Sequence, residues 1–227
     1  MNVLPLRPQL LSCRLIPAID AALAASLGCD PRRHRSVGLV SCDQDDSMYA
    51  ALDHATKHAP VDVVYARSFY AGAAHASGPL SGEILGVLAG ADPDEVAEGL
   101  LALRKALAEE ICFYTSPGES RPAFFPHVIA SLGRYLSAQS GLPVGSPMAY
   151  LVAPPVEAMV AIDHALKTAQ VRLVKFFGPP TETNFAAAYL AGELSEVEAA
   201  ARAFAEAVLE VADHPLSAAV RPRRERR

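Results

Sequence analysis

Apolar residues fall along this chain in two alternating periods. Short apolar runs at 10–16 (LLSCRLI), 37–42, 61–66 and 83–88 have the pattern of strands, and helical segments separate them. Residues 17–27 put Ile19, Leu23 and Leu27 on one helical face and close at Gly28, with Pro17 suited to a first turn whose N–H has no partner. A polar turn at 43–47 is expected to cap a helix over 48–58, which Pro60 ends. The string Asp92-Pro93-Asp94-Glu95 starts another helix, reaching about Glu110, with acids where free N–H groups point. Residues 69–82 are rich in Gly, Ala and Ser without a period and predict a long loop, while 1–8, with two prolines, predict an extended lead-in.

The second half repeats this order. Expected are a strand at 111–115, a helix over 126–140 ending at Gly141, a strand at 149–153 matching 37–41, a helix over 156–169, strands at 171–176 and 184–190, and a helix over 195–212. The likeness is sharpest between DHATKHAPVDVV, 53–64, and DHALKTAQVRLV, 163–174, where seven of twelve positions are identical. The offset is 113 at the two glycines, 112 at the first strand pair, 110 in this stretch and 102 at Gly90 and Gly192. Each copy therefore reads β, α, β, α, β, β, α, an α/β (α+β) unit of the ferredoxin-like kind, a small sheet with helices on one face. The copies predict two domains, 1–110 and 111–216, followed by a basic tail, 217–227, expected to be disordered.

Composition narrows the function. With 51% hydrophobic and 20% charged residues, the chain can pack a core and still leave apolar surface for a partner. A formal charge of -5 disfavours nucleic acid. Four irregularly spaced cysteines without a CxxC read as reduced thiols of an intracellular protein, and no secretion signal or run of eighteen apolar residues is evident, so no membrane partner is expected.

The acids Asp43, Asp45 and Asp46 follow a strand, where a ligand-bearing loop is commonly placed, and with Glu83 they form a candidate site for a small cation or amine. The alternative is a solvated turn whose acids cap the next helix. Pro154, Pro155 and Val156 stand at the corresponding place, so such a site belongs to the first half alone. His54 and His58 have ligand spacing but lack the acid of HExxH, and Thr168 replaces the second of them in the other copy. Because His54 and His164 recur, the repeated stretch is read as holding the fold or subunit contacts. No nucleophile elbow, phosphate loop or dinucleotide fingerprint occurs, so no catalytic residue, cofactor or resident metal is expected.

The segments VGLVSCDQDDSMYAALDHATK, VVYARSFYAGAAHASGPLSGEIL and GSPMAYLVAPPVEAMVAIDHALK resemble shell proteins of bacterial microcompartments, specifically the ethanolamine-utilisation type with tandem domains in one chain. The resemblance implies two circularly permuted microcompartment domains and a homotrimer shaped like a pseudo-hexamer. It implies a non-enzymatic structural role in a cytoplasmic shell, with edge-to-edge contacts to other shell proteins. A small pore within each subunit would bind ethanolamine through Asp45, Asp46 and Glu83, with Phe113 and Cys112 in its wall. A central pore would be lined by the loop carrying Phe69, Tyr70, Ala71, Gly72, Ala73, Ala74, His75, Ser77 and Gly78, where His75 offers at most an adventitious metal contact. A protein binding or sensing ethanolamine or cobalamin on the same fold is the alternative, and an enzyme with an acidic pocket is a third reading.

Overall fold

The computed structural model describes residues 2–69, 80, 82–119 and 121–216. Of the expected central-pore loop, Phe69 is described; Tyr70 to Gly78 and the tail 217–227 lie outside the described residues. The first half contains β1 (Leu4–Leu6), β2 (Leu10–Ile16), α1 (Ala21–Ser26), β3 (Ser36–Cys42), α2 (Asp45–His58), β4 (Asp62–Ser68), β5 (Ile84–Gly90) and α3 (Pro93–Glu109). Strands β2, β3, β5 and β4 form an antiparallel sheet in that order. The start of α3 is as expected: the Asp92 carboxylate accepts from the N–H groups of Asp94 and Glu95, each at 2.9 Å. Helix α1 is shorter than expected. Asp20 caps it by accepting from Ala22 N–H at 2.9 Å, while the Pro17 carbonyl accepts from Ser36 Oγ at 2.6 Å and stays outside the helix.

The second half contains β6 (Phe113–Thr115), β7 (Phe125–Ile129), α4 (Arg134–Ser140), β8 (Met148–Ala153), α5 (Pro155–Thr168), β9 (Arg172–Phe177), β10 (Ala186–Ala191) and α6 (Leu194–Asp213). Its sheet has the equivalent order, β7-β8-β10-β9. Two expectations fail here. The helix anticipated over 126–140 is a strand followed by a short helix; β7 lies at a sheet edge, where Pro126 sacrifices no ladder bond. The lead-in is also a strand, since β1 pairs antiparallel with β6, so β7 rather than β6 is the counterpart of β2.

Sheet register corrects the alignment of the copies. Val40 faces Gly86 across the first sheet, and Leu151 faces Ala188 across the second. Gly86 and Ala188 match at the offset of 102, so Val40 matches Leu151 at 111, not 112. A one-residue slip exchanges the two faces of a strand, which makes this correction decisive for which residues meet which helix. Even the irregularities repeat, with a bulge at Val64 in β4 and at Val174 in β9, each breaking the ladder to its neighbour.

In the first sheet Val40, Cys42, Ile84 and Leu88 pack under α2 and α3. Its other face, through Val37, Val87 and Ala89, packs with Ala24 of α1. In the second sheet Ala149, Leu151, Ala186 and Leu190 pack under α5 and α6. Its opposite face, Met148, Tyr150, Val152 and Tyr189, joins the core built around Met48 and Leu52 of α2. The repeated stretch makes this junction. Asp53, 1% exposed, accepts from Gly133 N–H at 2.7 Å and Leu136 N–H at 2.8 Å, holding α2 on the first turn of α4. Lys57 donates to the Ser131 carbonyl at 3.0 Å, and Gly133 is required because a Cβ would come within 2.4 Å of the Asp53 carbonyl.

Candidate functional site

Strand β3 delivers the chain to an acidic turn, but the turn does not cap the helix in the expected manner. Gln44 occupies the position before α2 without a side-chain cap, and Asp45 and Asp46 lie inside the first helical turn. There their charge faces the positive end of the helix. Asp43 is tied elsewhere, its carboxylate accepting from Gln9 N–H at 2.6 Å. Asp45 is buried; its carboxylate accepts from Ser68 Oγ at 2.7 Å and from Asp46 N–H at 2.8 Å. The Tyr150 hydroxyl, from β8, donates to Asp46. Glu83 is anchored through its backbone, its N–H donating to the Cys42 carbonyl at 2.7 Å and its carbonyl accepting from Phe69 N–H at 2.8 Å. Gly82 makes that turn possible: its φ is +62°, and a Cβ there would meet the Cys42 carbonyl oxygen at 2.1 Å.

These carboxylates crowd one another in a place with little water. Burial, and then the Asp45 and Asp43 charges, push the Glu83 carboxyl up to about 7. Burial raises Asp45 as well, against the hydrogen bonds from Ser68 and the Asp46 amide. Asp46 is pushed up by burial and by Asp45, and the Tyr150 hydroxyl only partly offsets this. Each shift means that the ionised form lacks a counter-charge, so a monovalent cation entering the cluster would favour ionisation of all three.

A cavity of about 230 Å³ lies against them, lined by Asp43, Asp45, Asp46, Glu83, Gln44, Leu6, Phe113, Ala123, Thr183 and Phe185. Among the described residues its wall holds four carboxyl groups and no basic side chain. A second cavity, about 420 Å³, shares Asp45, Asp46, Thr183 and Phe185 and continues past Tyr49, Tyr135, Tyr150, Phe177 and Tyr189. The acids thus stand between two cavities, one acidic and one rich in aromatic rings, a combination suited to a small organic ammonium group. The fold brings Asp45, Asp46, Glu83 and Phe113 to the wall of one cavity. Cys112 is buried and is not part of either lining.

Sequence reasoning missed Tyr150, Ser68, Thr183 and Phe185. None has a local motif; Tyr150 reaches Asp46 only because β8 presents its even-numbered side to α2. Elsewhere, the His54 and His58 rings stack at 4.3 Å between centroids, and the described residues contain no group of three or more His, Cys, Asp or Glu placed to hold a metal. No helix among them is long and apolar enough to cross a membrane.

Comparison with known proteins bears on the whole chain. The BMC domain family model matches twice, at residues 36–116 and 152–224. The bacterial microcompartment shell protein EutL of Clostridium perfringens is 47% identical over 93% of this chain and 97% of its own length. EutL of Escherichia coli is 45% identical over 94% and 97%. The crystal structure of the ethanolamine utilization protein EutL from Leptotrichia buccalis superposes with a TM-score of 0.91 at 49% identity, covering 95% of this chain and 99% of that one. With both sheets and the acidic turn inside these matches, the chain belongs to the bacterial microcompartment shell proteins, as a member with tandem BMC domains.

Proposed function

We propose that this shell protein assembles as a trimer of pseudo-hexameric outline in the shell of an ethanolamine-degrading microcompartment, and that the acidic cavity binds and passes a small protonated amine such as ethanolamine. The observation carrying this reading is the cavity wall, in which Asp43, Asp45, Asp46 and Glu83 meet without a basic partner. An ammonium group would supply the missing charge, and the half-buried position of Glu83 keeps the attraction modest enough for release. The central pore is assigned to the loop 69–78, with Phe69 at its described end, and edge-to-edge contacts with other shell proteins complete the sheet.

Calorimetry with ethanolamine at low ionic strength tests the cavity. The wild type binds weakly, and Asp45→Asn with Asp46→Asn weakens binding further by about tenfold, equivalent to ~1.4 kcal/mol. Equal binding by both proteins sinks the assignment. Electron microscopy of the purified protein tests the assembly, with extended two-dimensional sheets expected.

A further inference from the structure

The larger cavity, about 420 Å³, is lined by rings that the fold does not require. Four of the chain's seven tyrosines stand in its wall: Tyr49 from α2, Tyr135 from α4, Tyr150 from β8 and Tyr189 from β10. At the offsets of the repeated stretch, the helix-ending glycines and the sheet register, Met159, Ala22, Leu39 and Val87 take their places in the other copy. The same elements thus form there without an aromatic residue at any of the four positions. Nor do the rings close the space between them. Tyr49 and Tyr135 are half-buried and near parallel, with centroids 6.4 Å apart, and Tyr150 and Tyr189 meet edge to face at 4.8 Å. A core packed to ordinary density leaves few voids, whereas this wall leaves a cavity of the size that holds a small molecule.

The polar groups around the cavity select its occupant. Its wall holds three carboxyl groups, Asp45, Asp46 and Glu182, and one guanidinium, the exposed Arg67. The acceptors beside the rings already have donors. Asp45 accepts from Ser68 Oγ and Asp46 N–H, Asp46 from the Tyr150 hydroxyl, and the Tyr49 hydroxyl from Ser68 N–H at 3.2 Å. A primary ammonium brings three N–H donors that need acceptors of their own, and Glu83 offers them on the acidic side. An ammonium whose hydrogens are replaced by methyl groups needs none; carboxylate charge and ring faces suffice to hold it. We propose that this cavity is a second binding site, for a methylated ammonium without N–H groups, with Tyr49 and Tyr135 as its ring faces and Asp45 and Asp46 as its counter-charge. Phe177 contributes less, because Lys175 Nζ already lies 4.8 Å from its ring centroid.

This goes beyond the amine reading above and fails separately from it: wild-type binding of ethanolamine tests that reading, and binding of choline tests this one. Choline is ethanolamine with a trimethylated nitrogen, and 3,3-dimethyl-1-butanol is its uncharged counterpart of the same shape. In titration calorimetry the wild type binds choline about fivefold more tightly than the alcohol, or better. Tyr135→Leu weakens choline binding about fivefold, while Tyr135→Phe, which keeps the ring, stays within about twofold. The place of binding is read in the wild type, without any variant. Among the described residues the acidic cavity is lined by no tyrosine. In protein with deuterated phenylalanines, saturating the tyrosine ring protons therefore transfers magnetisation to choline methyls in the ring-lined cavity and not to choline in the acidic one. Equal binding of choline and the alcohol, choline methyls that receive no transfer, or a Tyr135→Leu protein that binds choline as the wild type does would overturn the proposal.

Discussion

Glu83 is held half-exposed between Asp45 and Asp43, and its proton has two opposing consequences. The folded protein binds that proton more tightly than the unfolded chain does, from the ordinary carboxylate value of about 4.3 up to about 7. The stabilisation from protonated Glu83 is thus complete below the unfolded value and is lost as pH rises through about 7. A bound amine reverses the sign, since it needs the carboxylate and stays protonated throughout this window. Thermal melts of the free protein should therefore show the midpoint falling between pH 5.5 and 7.5, while ethanolamine affinity measured over the same range rises. Glu83→Gln should flatten both trends. A variant whose melting midpoint still falls as steeply as the wild type's would assign the effect to Asp45 and Asp46 instead. Tyr150 acts on the same balance: its hydroxyl donates to Asp46 and so favours the ionised carboxylate.

At the level of elements, the two copies of the DHA stretch are the same helix end in different surroundings. Asp53 is buried and bonded to two amides of α4, while Asp163 is exposed and paired only with Lys167. Asp53→Ala strands the N–H groups of Gly133 and Leu136 and is expected to cost about 2–4 kcal/mol in urea unfolding. Asp163→Ala, which removes only the exposed pair with Lys167, should change stability by less than about 0.5 kcal/mol. Comparable costs at the two sites would refute the difference in environment. The element order was legible because the copies confirm each other, and the acids of the site stood out because Pro155 and Val156 occupy their places in the second copy. The failures also have local causes. The strand at β7 was hidden by Pro126, harmless at a sheet edge, and β1 by Pro5, whose partner strand lies over a hundred residues away. Tyr150 and Thr183 were invisible because sheet register, a long-range property, aims them at the cavity.

Across the whole molecule the duplication does not produce two independent cores. Met48, Leu52 and Leu88 of the first half share one cluster with Leu132, Leu136, Tyr150 and Tyr189 of the second. β1 crosses from the first half to pair with β6, and Tyr150 closes onto Asp46. Taken apart, the second sheet would present Met148, Tyr150, Val152 and Tyr189 to water, and α2 would lose both its apolar cover and the ligands of Asp53. At roughly 25 cal/mol for each Å² of apolar surface, exposing these side chains costs several kcal/mol. Unfolding should therefore be cooperative across a chain long enough to be expected to break into steps. Urea transitions followed by far-ultraviolet circular dichroism and by tyrosine fluorescence should coincide. Four of the seven tyrosines, Tyr49, Tyr135, Tyr150 and Tyr189, stand at the junction and weight the fluorescence towards it, whereas circular dichroism reports all six helices described. If the tyrosines change first while helicity persists, the halves come apart before either unfolds, and the shared core is weaker than its burial implies.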